Sequence, residues 1–375
     1  SLASAGMAYH FYTAPPPTIS ETDQSDEPIE RPIGDILDLD DIHVEFASDL
    51  IPMILDQGTG LDVRISNMRK YLATQFGLIL PQIRLTDDPS LPDGTYVIKV
   101  HGVEQASALL RPDHVLVLLP EGEQSSTHEP VYGAPARWVD RTQQDQVALQ
   151  GSTVVTPVEV LATHLIEVLK KNFSRLLSLR ALRRLLDELA NLTDTNRAQA
   201  NRKLFDDLVP DKVPYDQLLT ILRALLDEHV SIRNLPLILE TIAEVHTKPV
   251  DIIVENVRQK LGFQIISPLK RDDGTIPLLQ LAPEWEDTFA TYQVDTEGLP
   301  DVALPPDIFH SLTDSIASQL SDIFDKGINV ALVTSTKRRR FLTGLVKAKG
   351  MKCPVISFEE IGFDAKPALV GVVPA

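Results

Sequence analysis

The sequence predicts a multidomain α+β protein: a small α+β domain with an inserted subdomain, a helical domain and a C-terminal mixed α/β domain, after a disordered acidic linker. The chain has 375 residues, which is too long for one ordinary core and is typical of two to four domains. Almost all of residues 174–261 has the three-to-four-residue apolar spacing of helices. Strand, helix and strand patterns then follow one another closely near the end, which predicts a βαβ unit.

Composition limits the partners and the chemistry. A formal net charge of −18 argues against nucleic acid, which selects basic surfaces, and against adhesion to an anionic lipid surface. The single cysteine, Cys353, cannot form a disulfide framework or a cysteine-based metal site within one chain. No apolar run approaches the ~20 residues that a membrane-spanning helix needs.

The first 40 residues are expected to form a flexible acidic linker. Residues 1–12 are small and mildly apolar, and they fit either a tag remnant or the end of a membrane helix. Between Glu21 and Asp40 there are eight acids and one base, Arg31. Because few apolar groups are present to offset the entropy of ordering, this stretch reads as a tether.

From Asp41 the pattern predicts a small α+β unit. Residues 42–46 alternate as a strand does, and residues 61–78 carry apolar side chains at helical spacing until Gly77 ends the helix. Residues 82–88 and 95–103 follow as strands, separated by a turn at residues 92–94.

The aromatic segment that follows, EPVYGAPARWV, is braced by prolines. Pro130 and Pro135 each remove a backbone donor and bias the preceding residue to extended geometry, so Tyr132 and Trp138 lie on a stiff, non-helical stretch. Two interpretations remain open. Both aromatics fill a local core, or Tyr132 lines a surface groove, since aromatic side chains anchor interfaces.

A strong helix start comes next. Thr156 and Glu159 form a capping box around Pro157, which occupies the first helical position. His164 lies on this helix and is interpreted as a packing histidine rather than a ligand or a base.

The helical region and the last third complete the chain. Residues 180–188 carry arginines and acids that predict a solvated helix face. Residues 262–281 predict a hairpin with Asp273-Gly274 as its turn. Residues 306–324 predict a helix, residues 328–335 and 353–361 two strands joined by a helix, and residues 369–373 a last strand.

No established catalytic motif is present. The sequence contains neither phosphate-binding glycine loop, no HExxH and no GxSxG. The paired carboxylates at Asp87-Asp88 and Asp272-Asp273 lie in turn contexts, and Cys353 reads as a buried structural thiol.

A basic run begins a helix near the end of the chain. It comprises Lys337, Arg338, Arg339 and Arg340, and cations at a helix start oppose the helix dipole. The run is either a solvated cluster or a contact with an acidic partner or a neighbouring subunit.

Three stretches together resemble a known family. EPVYGAPARWV at residues 129–139, the segment with ATHL at residues 150–177 and VSIRNLPLILETIAE at residues 230–244 are similar to the cytoplasmic part of the large export-gate subunit of bacterial type III secretion. The similarity runs in register from about Asp41 to the last strand. Residues 91–103 and 277–289 look closer to flagellar members, and a virulence-injectisome gate is the alternative.

The resemblance implies an architecture and a role. A first subdomain would comprise residues 41–107 and 157–176, with residues 108–156 inserted as the second. Residues 177–256 would form the helical third and residues 257–375 the fourth. The domains would assemble into a nonameric ring on the cytoplasmic face of the bacterial inner membrane, held by an N-terminal transmembrane part that is missing here.

The implied role is a docking platform. The ring would bind export chaperone–substrate complexes and other export-apparatus subunits, including the ATPase complex, and pass substrates to the membrane channel. The family is not an ATPase, and the resemblance implies a protein that is not an enzyme and that has no cofactor and no metal.

The family's chaperone-docking dimple, carried over by motif, falls on Glu129, Tyr132, Val155 and Thr163. Flagellar members often have Asp and Phe where this chain has Glu129 and Tyr132, so chaperone selectivity stays open. The residues themselves predict an apolar floor from Val155, a carboxylate at the rim and an aromatic ring held by prolines.

Two other function classes remain. A soluble hydrolase would need a pocket with convergent polar groups near Asp87 or Asp272. A cytosolic scaffold that never meets a membrane would remain monomeric.

Overall fold

The first part of the described chain contains a four-stranded sheet. The computed structural model describes residues 37–120, 125, 127–362 and 365–375, so the predicted linker lies outside the described residues up to residue 36. The sheet has the order β2-β1-β3-β4, with β1 parallel to β2 and the other pairs antiparallel. Its strands are β1 (Ile42–Phe46), β2 (Ile83–Asp87), β3 (Thr95–Val100) and β4 (Val103–Leu109). The strands predicted for this region are confirmed.

Two helices precede β2 in this unit, α1 (Ile51–Ile54) and α2 (Leu61–Phe76). Helix α2 ends at Gly77, which has a φ of 73° in the left-handed region. A side chain at this position would also lie 2.6 Å from the backbone nitrogen of Arg233. Glycine is therefore required here both for conformation and for close approach, as the predicted helix end indicated.

The second sheet comes from residues 114–155. Its order is β6-β7-β5-β8, and every pair is antiparallel. Its strands are β5 (His114–Leu118), β6 (Thr127–His128), β7 (Pro135–Asp140) and β8 (Val154–Val155), with helix α3 (Gln144–Leu149) before β8.

Helix α4 (Pro157–Lys171) contacts both β4 of the first sheet and β5 of the second. It begins as predicted, because Glu159 accepts a hydrogen bond at 2.9 Å from the backbone N–H of Thr156. Its apolar side, including Leu161, Leu165 and Leu169, is fully buried. The helix thus positions the two sheets against a shared core.

The helical region predicted for residues 174–261 is confirmed. It comprises α5 (Phe173–Leu176), α6 (Leu179–Ala190), α7 (Thr195–Leu208), α8 (Tyr215–Asp227), α9 (Leu235–Val245) and α10 (Val250–Lys260). The charged side of α6 is exposed as expected, and its buried side holds Leu182, Leu185 and Leu186. One hydrophobic cluster runs from Ile42 to Leu261 through both sheets and these helices.

The C-terminal region is a parallel sheet with the order β13-β12-β9-β14. Its strands are β9 (Thr275–Leu281), β12 (Ala331–Thr334), β13 (Val355–Ser357) and β14 (Lys366–Val373). The other elements are α11 (Gly262–Ile266), α12 (Glu284–Thr291), β10 (Gln293–Val294), β11 (Asp301–Val302), α13 (Pro306–Phe324) and α14 (Thr336–Ala348). The predicted βαβ unit is confirmed as β12, α14 and β13.

The predicted hairpin at residues 262–281 is wrong. Its first half is helix α11 and a 3-10 turn at Ser267–Leu269, while β9 pairs with β12 and β14. The turn itself exists, since Asp273 accepts from the N–H of Thr275 at 2.8 Å. A short apolar run such as FQII fits a helix as well as a strand, and the partners of β9 come from distant sequence.

The predicted fold class, a multidomain α+β protein, is confirmed. The C-terminal sheet has its own hydrophobic clusters, separate from the one that joins the earlier residues. The proposed subdomain boundaries remain a prediction. Among the described helices, none combines the length and the apolarity that crossing a membrane requires.

Candidate functional site

The tight turn at residues 129–134 presents the predicted aromatic. The Glu129 carboxylate accepts hydrogen bonds from the N–H groups of Val131 at 3.0 Å and Tyr132 at 2.7 Å. The main chain closes the turn from Gly133 N–H to the carbonyl of Glu129 at 2.9 Å, with Gly133 at a φ of 71°. Glu129 is only 8% exposed. It builds the turn, so the expectation that its carboxylate lies at the rim of a groove is wrong.

Tyr132 stands at the tip of this turn and is 58% exposed. Partial burial and the nearby carboxylate of Glu167 on α4 raise the pKa of its phenol. Of the two interpretations of the aromatic segment, a core position is therefore excluded for Tyr132. Trp138 is half-buried and packs against the hydrophobic cluster.

Thr163 and Val155 lie on the elements next to this turn. Thr163 is half-buried on α4, four residues before Glu167, so the two share one face of the helix. Val155 is half-buried at the end of β8, where it pairs with Leu116. Thr163 therefore lies on α4, and Val155 lies just before the first turn of that helix.

His164 is a packing histidine, as predicted. Its Nδ1 lies 2.7 Å from the hydroxyl of Tyr96. Burial lowers the pKa of His164 and raises that of Tyr96. Burial therefore favours the neutral imidazole of His164 and the neutral phenol of Tyr96.

The basic run at the start of α14 differs from expectation. Arg338 and Arg339 are 3% and 0% exposed, so a solvated cluster is wrong for both, and neither is available to an external partner. Arg338 donates to Glu286 at 2.9 Å and lies over the ring of Phe289. Lys337 and Arg340 are exposed, and a partner contact stays a prediction for these two.

Arg339 is the centre of a buried ionic network. It donates to Glu255 on α10 at 2.7 Å and to Glu228 after α8 at 3.2 Å. Arg258 joins the same network, bonding Glu360 at 2.6 Å and approaching Glu228 at 2.9 Å. The network therefore holds the helical region against the C-terminal sheet.

The charges in this network affect one another. Burial raises the pKa of Glu255 despite its arginine partner. Burial also opposes ionisation of Glu228, but Arg258 and Arg339 outweigh it and lower the pKa of that carboxyl. The sequence carried no local sign of this network, because its members come from three distant helices and a 3-10 turn.

One carboxylate of each predicted pair accepts hydrogen bonds within its own turn. Hydrogen bonds from Ser90 lower the pKa of Asp88, and those from Thr275 lower that of Asp273, opposite to what a general acid requires. Cys353 is buried as predicted, and burial raises the pKa of its thiol to about 11. A thiol in this state is a poor nucleophile.

Comparison with known proteins connects this geometry to a family. A model of the FHIPEP family matches residues 6–366. The flagellar biosynthesis protein FlhA of Caulobacter vibrioides is 32% identical over 92% of this chain and 50% of its own length. FlhA of Bacillus subtilis is 29% identical over 94% of this chain and 52% of its own length. The chain therefore spans about half the length of these relatives.

Solved structures share the fold. The Chlamydia pneumoniae CdsV protein has a TM-score of 0.74 and 23% identity, covering 88% of this chain and 97% of that one. The nonameric SctV-C of EPEC has a TM-score of 0.69 and 20% identity, covering 89% and 98%. A further match is a complex of CdsV with CdsO, at a TM-score of 0.73, 22% identity and coverage of 89% and 98%.

Proposed function

The chain belongs to the FHIPEP family, and from that premise we propose that it is the cytoplasmic docking platform of a type III protein export gate, in the flagellar branch. It binds chaperone–substrate complexes and passes export substrates to a membrane channel, and it makes or breaks no covalent bond. The names of the related FlhA proteins support the flagellar branch.

The observation that carries the proposal is the exposed ring of Tyr132 on a braced turn. A protein-docking site needs an apolar or aromatic anchor that is exposed before binding and rigid enough to lose little entropy on binding. Glu129 fixes the turn with hydrogen bonds from the N–H groups of Val131 and Tyr132. Thr163 is half-buried on α4 and Val155 is half-buried at the end of β8, and we assign both to the same docking surface.

Assembly and location complete the proposal. One related structure is a nonamer and another is a complex with CdsO, which supports a ring and a contact with other export-apparatus subunits. We include the ATPase complex among the proposed partners. We place the platform at the cytoplasmic face of the bacterial inner membrane. The part of the relatives that this chain does not match would hold it there.

The test is a calorimetric titration of the chain with a purified flagellar chaperone–substrate complex. Tyr132→Asp should abolish binding and leave the melting temperature nearly unchanged, because the ring is mostly in solvent. Phe263→Asp is the matched control, since Phe263 is 60% exposed on α11, and it should bind as the wild type does. Full binding by the Tyr132 variant would remove the docking assignment.

A further inference from the structure

A wide cleft lies beside the docking turn and is distinct from it. Its volume is about 1170 Å³. Its walls come from the end of α2, the loop at residues 227–234, residues 264–269 and the stretch from Thr343 to Ile356. Typical small-molecule pockets have volumes of roughly 300–1,000 Å³. The cleft is therefore large enough for an extended stretch of polypeptide.

One wall of the cleft is aromatic. The rings of Tyr71 and Phe76 are 6.1 Å apart, and that of His229 lies 6.4 Å from Phe76, both pairs edge to face. Across the cleft are Val346 and Met351 of the C-terminal region. Such walls favour aliphatic side chains, because apolar surface is removed from water on both sides.

The charge of the cleft is opposite to that of the protein. Arg233, Lys347 and Lys352 line it as exposed cations, and Asp227 is its exposed acid. Glu228 also lines it but is neutralised by arginines of the buried network. Cations therefore outnumber unpaired acids here, although the whole chain carries a formal net charge of −18.

The cationic rim is partly fixed in place. Arg233 donates to the carbonyl of Thr74 at 3.1 Å, which ties the loop to the end of α2. The Nζ of Lys352 lies 5.0 Å from the ring centroid of Tyr132, so the mouth of the cleft adjoins the docking turn. A partner held at Tyr132 could therefore extend a segment directly into the cleft.

We propose that this cleft binds an extended acidic segment of a cargo protein, in which carboxylates alternate with aliphatic side chains. The carboxylates pair with Arg233 and Lys347, and the aliphatic groups contact the aromatic wall. That the segment belongs to export cargo rests on the proposed function. The preference for an acidic, apolar sequence rests on the cleft alone.

The probe is a short fluorescent peptide in which Glu alternates with Leu, measured by anisotropy against the full chain. A second peptide carries Gln in place of Glu. The acidic peptide should bind, the amide peptide should bind about tenfold more weakly or not at all, and added salt should weaken the acidic one.

Variants locate the binding. The double variant Arg233→Glu, Lys347→Glu should bind the acidic peptide about tenfold more weakly or worse. If the double variant does not fold, Lys347→Glu alone is measured, and it should show part of this loss of affinity. Lys326→Glu, an exposed cation after α13, is the matched control. Equal binding of both peptides, or unchanged binding by the Lys347 variants, overturns the inference.

The outcomes separate this inference from the proposed function. The Tyr132→Asp variant should no longer bind the chaperone–substrate complex but should still bind the acidic peptide. The cleft variants should no longer bind the acidic peptide. If the wild type does not bind the peptide but self-associates in sedimentation, and Lys347→Glu makes it monomeric, a second copy covers the cleft and the inference is wrong.

Discussion

The ammonium of Lys352 lies over the ring of Tyr132, with Nζ 5.0 Å from the ring centroid. Tyr132 belongs to the turn before β7, and Lys352 lies just before β13. A cation over an aromatic ring is worth about 0.5–1 kcal/mol at an exposed site. The contact therefore joins the docking turn weakly to the C-terminal region, and it covers one face of the ring that docking needs.

Lys352→Gln should strengthen chaperone–substrate docking, by about fivefold or less, because about 1 kcal/mol corresponds to a factor of about five. Calorimetry of wild type and variant measures this directly. Lys349→Gln is the control, because Lys349 is an exposed lysine directly after α14. This variant should bind as the wild type does. Weaker docking by the Lys352 variant would mean that Lys352 contacts the partner rather than shielding Tyr132.

Glu129→Ala should lower the free energy of unfolding by about 1–3 kcal/mol, because the N–H groups of Val131 and Tyr132 lose their acceptor. Glu129→Gln keeps one acceptor oxygen and should cost less. Urea denaturation gives both values. If both variants keep wild-type stability and both lose docking, the carboxylate acts on the partner and not on the turn.

Local features of the fold were predictable from the sequence. The end of α2 at Gly77 and the start of α4 at Thr156 each depend on a few adjacent residues whose chemistry fixes the backbone. For Tyr132 the sequence left two alternatives open, a position in a local core and a position at a surface groove. Prolines predict a stiff segment, but they do not determine which side of it faces solvent.

Features that depend on distant partners were not predictable. Arg339 reads as one of four adjacent cations, yet its burial depends on Glu228 and Glu255, which are 111 and 84 residues away. Glu129 reads as a rim acid, and only the turn shows that its oxygens face its own backbone. Strand β9 reads as half of a hairpin because its parallel partners come later in the chain.

Stability should fall on mild acidification. Burial lowers the pKa of His43 and His164 from the ordinary value of 6.5. Between the folded pKa and 6.5 the unfolded chain therefore binds more protons than the folded one. The contribution of these histidines to stability is fully present above pH 6.5 and is lost as the pH falls below that value.

His164→Gln should flatten this dependence while leaving a group that can bond the Tyr96 hydroxyl. Denaturant midpoints measured at several pH values below 6.5 give the slope. The exposed His128, changed to Gln, is the control and should leave the slope as it is. An unchanged slope in the His164 variant would mean that this imidazole protonates in the folded state without cost.

Arg339→Ala should destabilise the protein by about 3–5 kcal/mol, because it leaves Glu228 and Glu255 without their shared cation in the interior. Arg340→Ala is a matched control one residue away, where an exposed guanidinium 3.5 Å from Asp251 is worth at most about 1 kcal/mol. Adding Glu255→Gln to Arg339→Ala should restore part of the loss, since the remaining uncompensated charge is removed. Urea denaturation of the four proteins decides it: equal losses for Arg339→Ala and Arg340→Ala would show that the buried network does not hold the helical region to the C-terminal sheet.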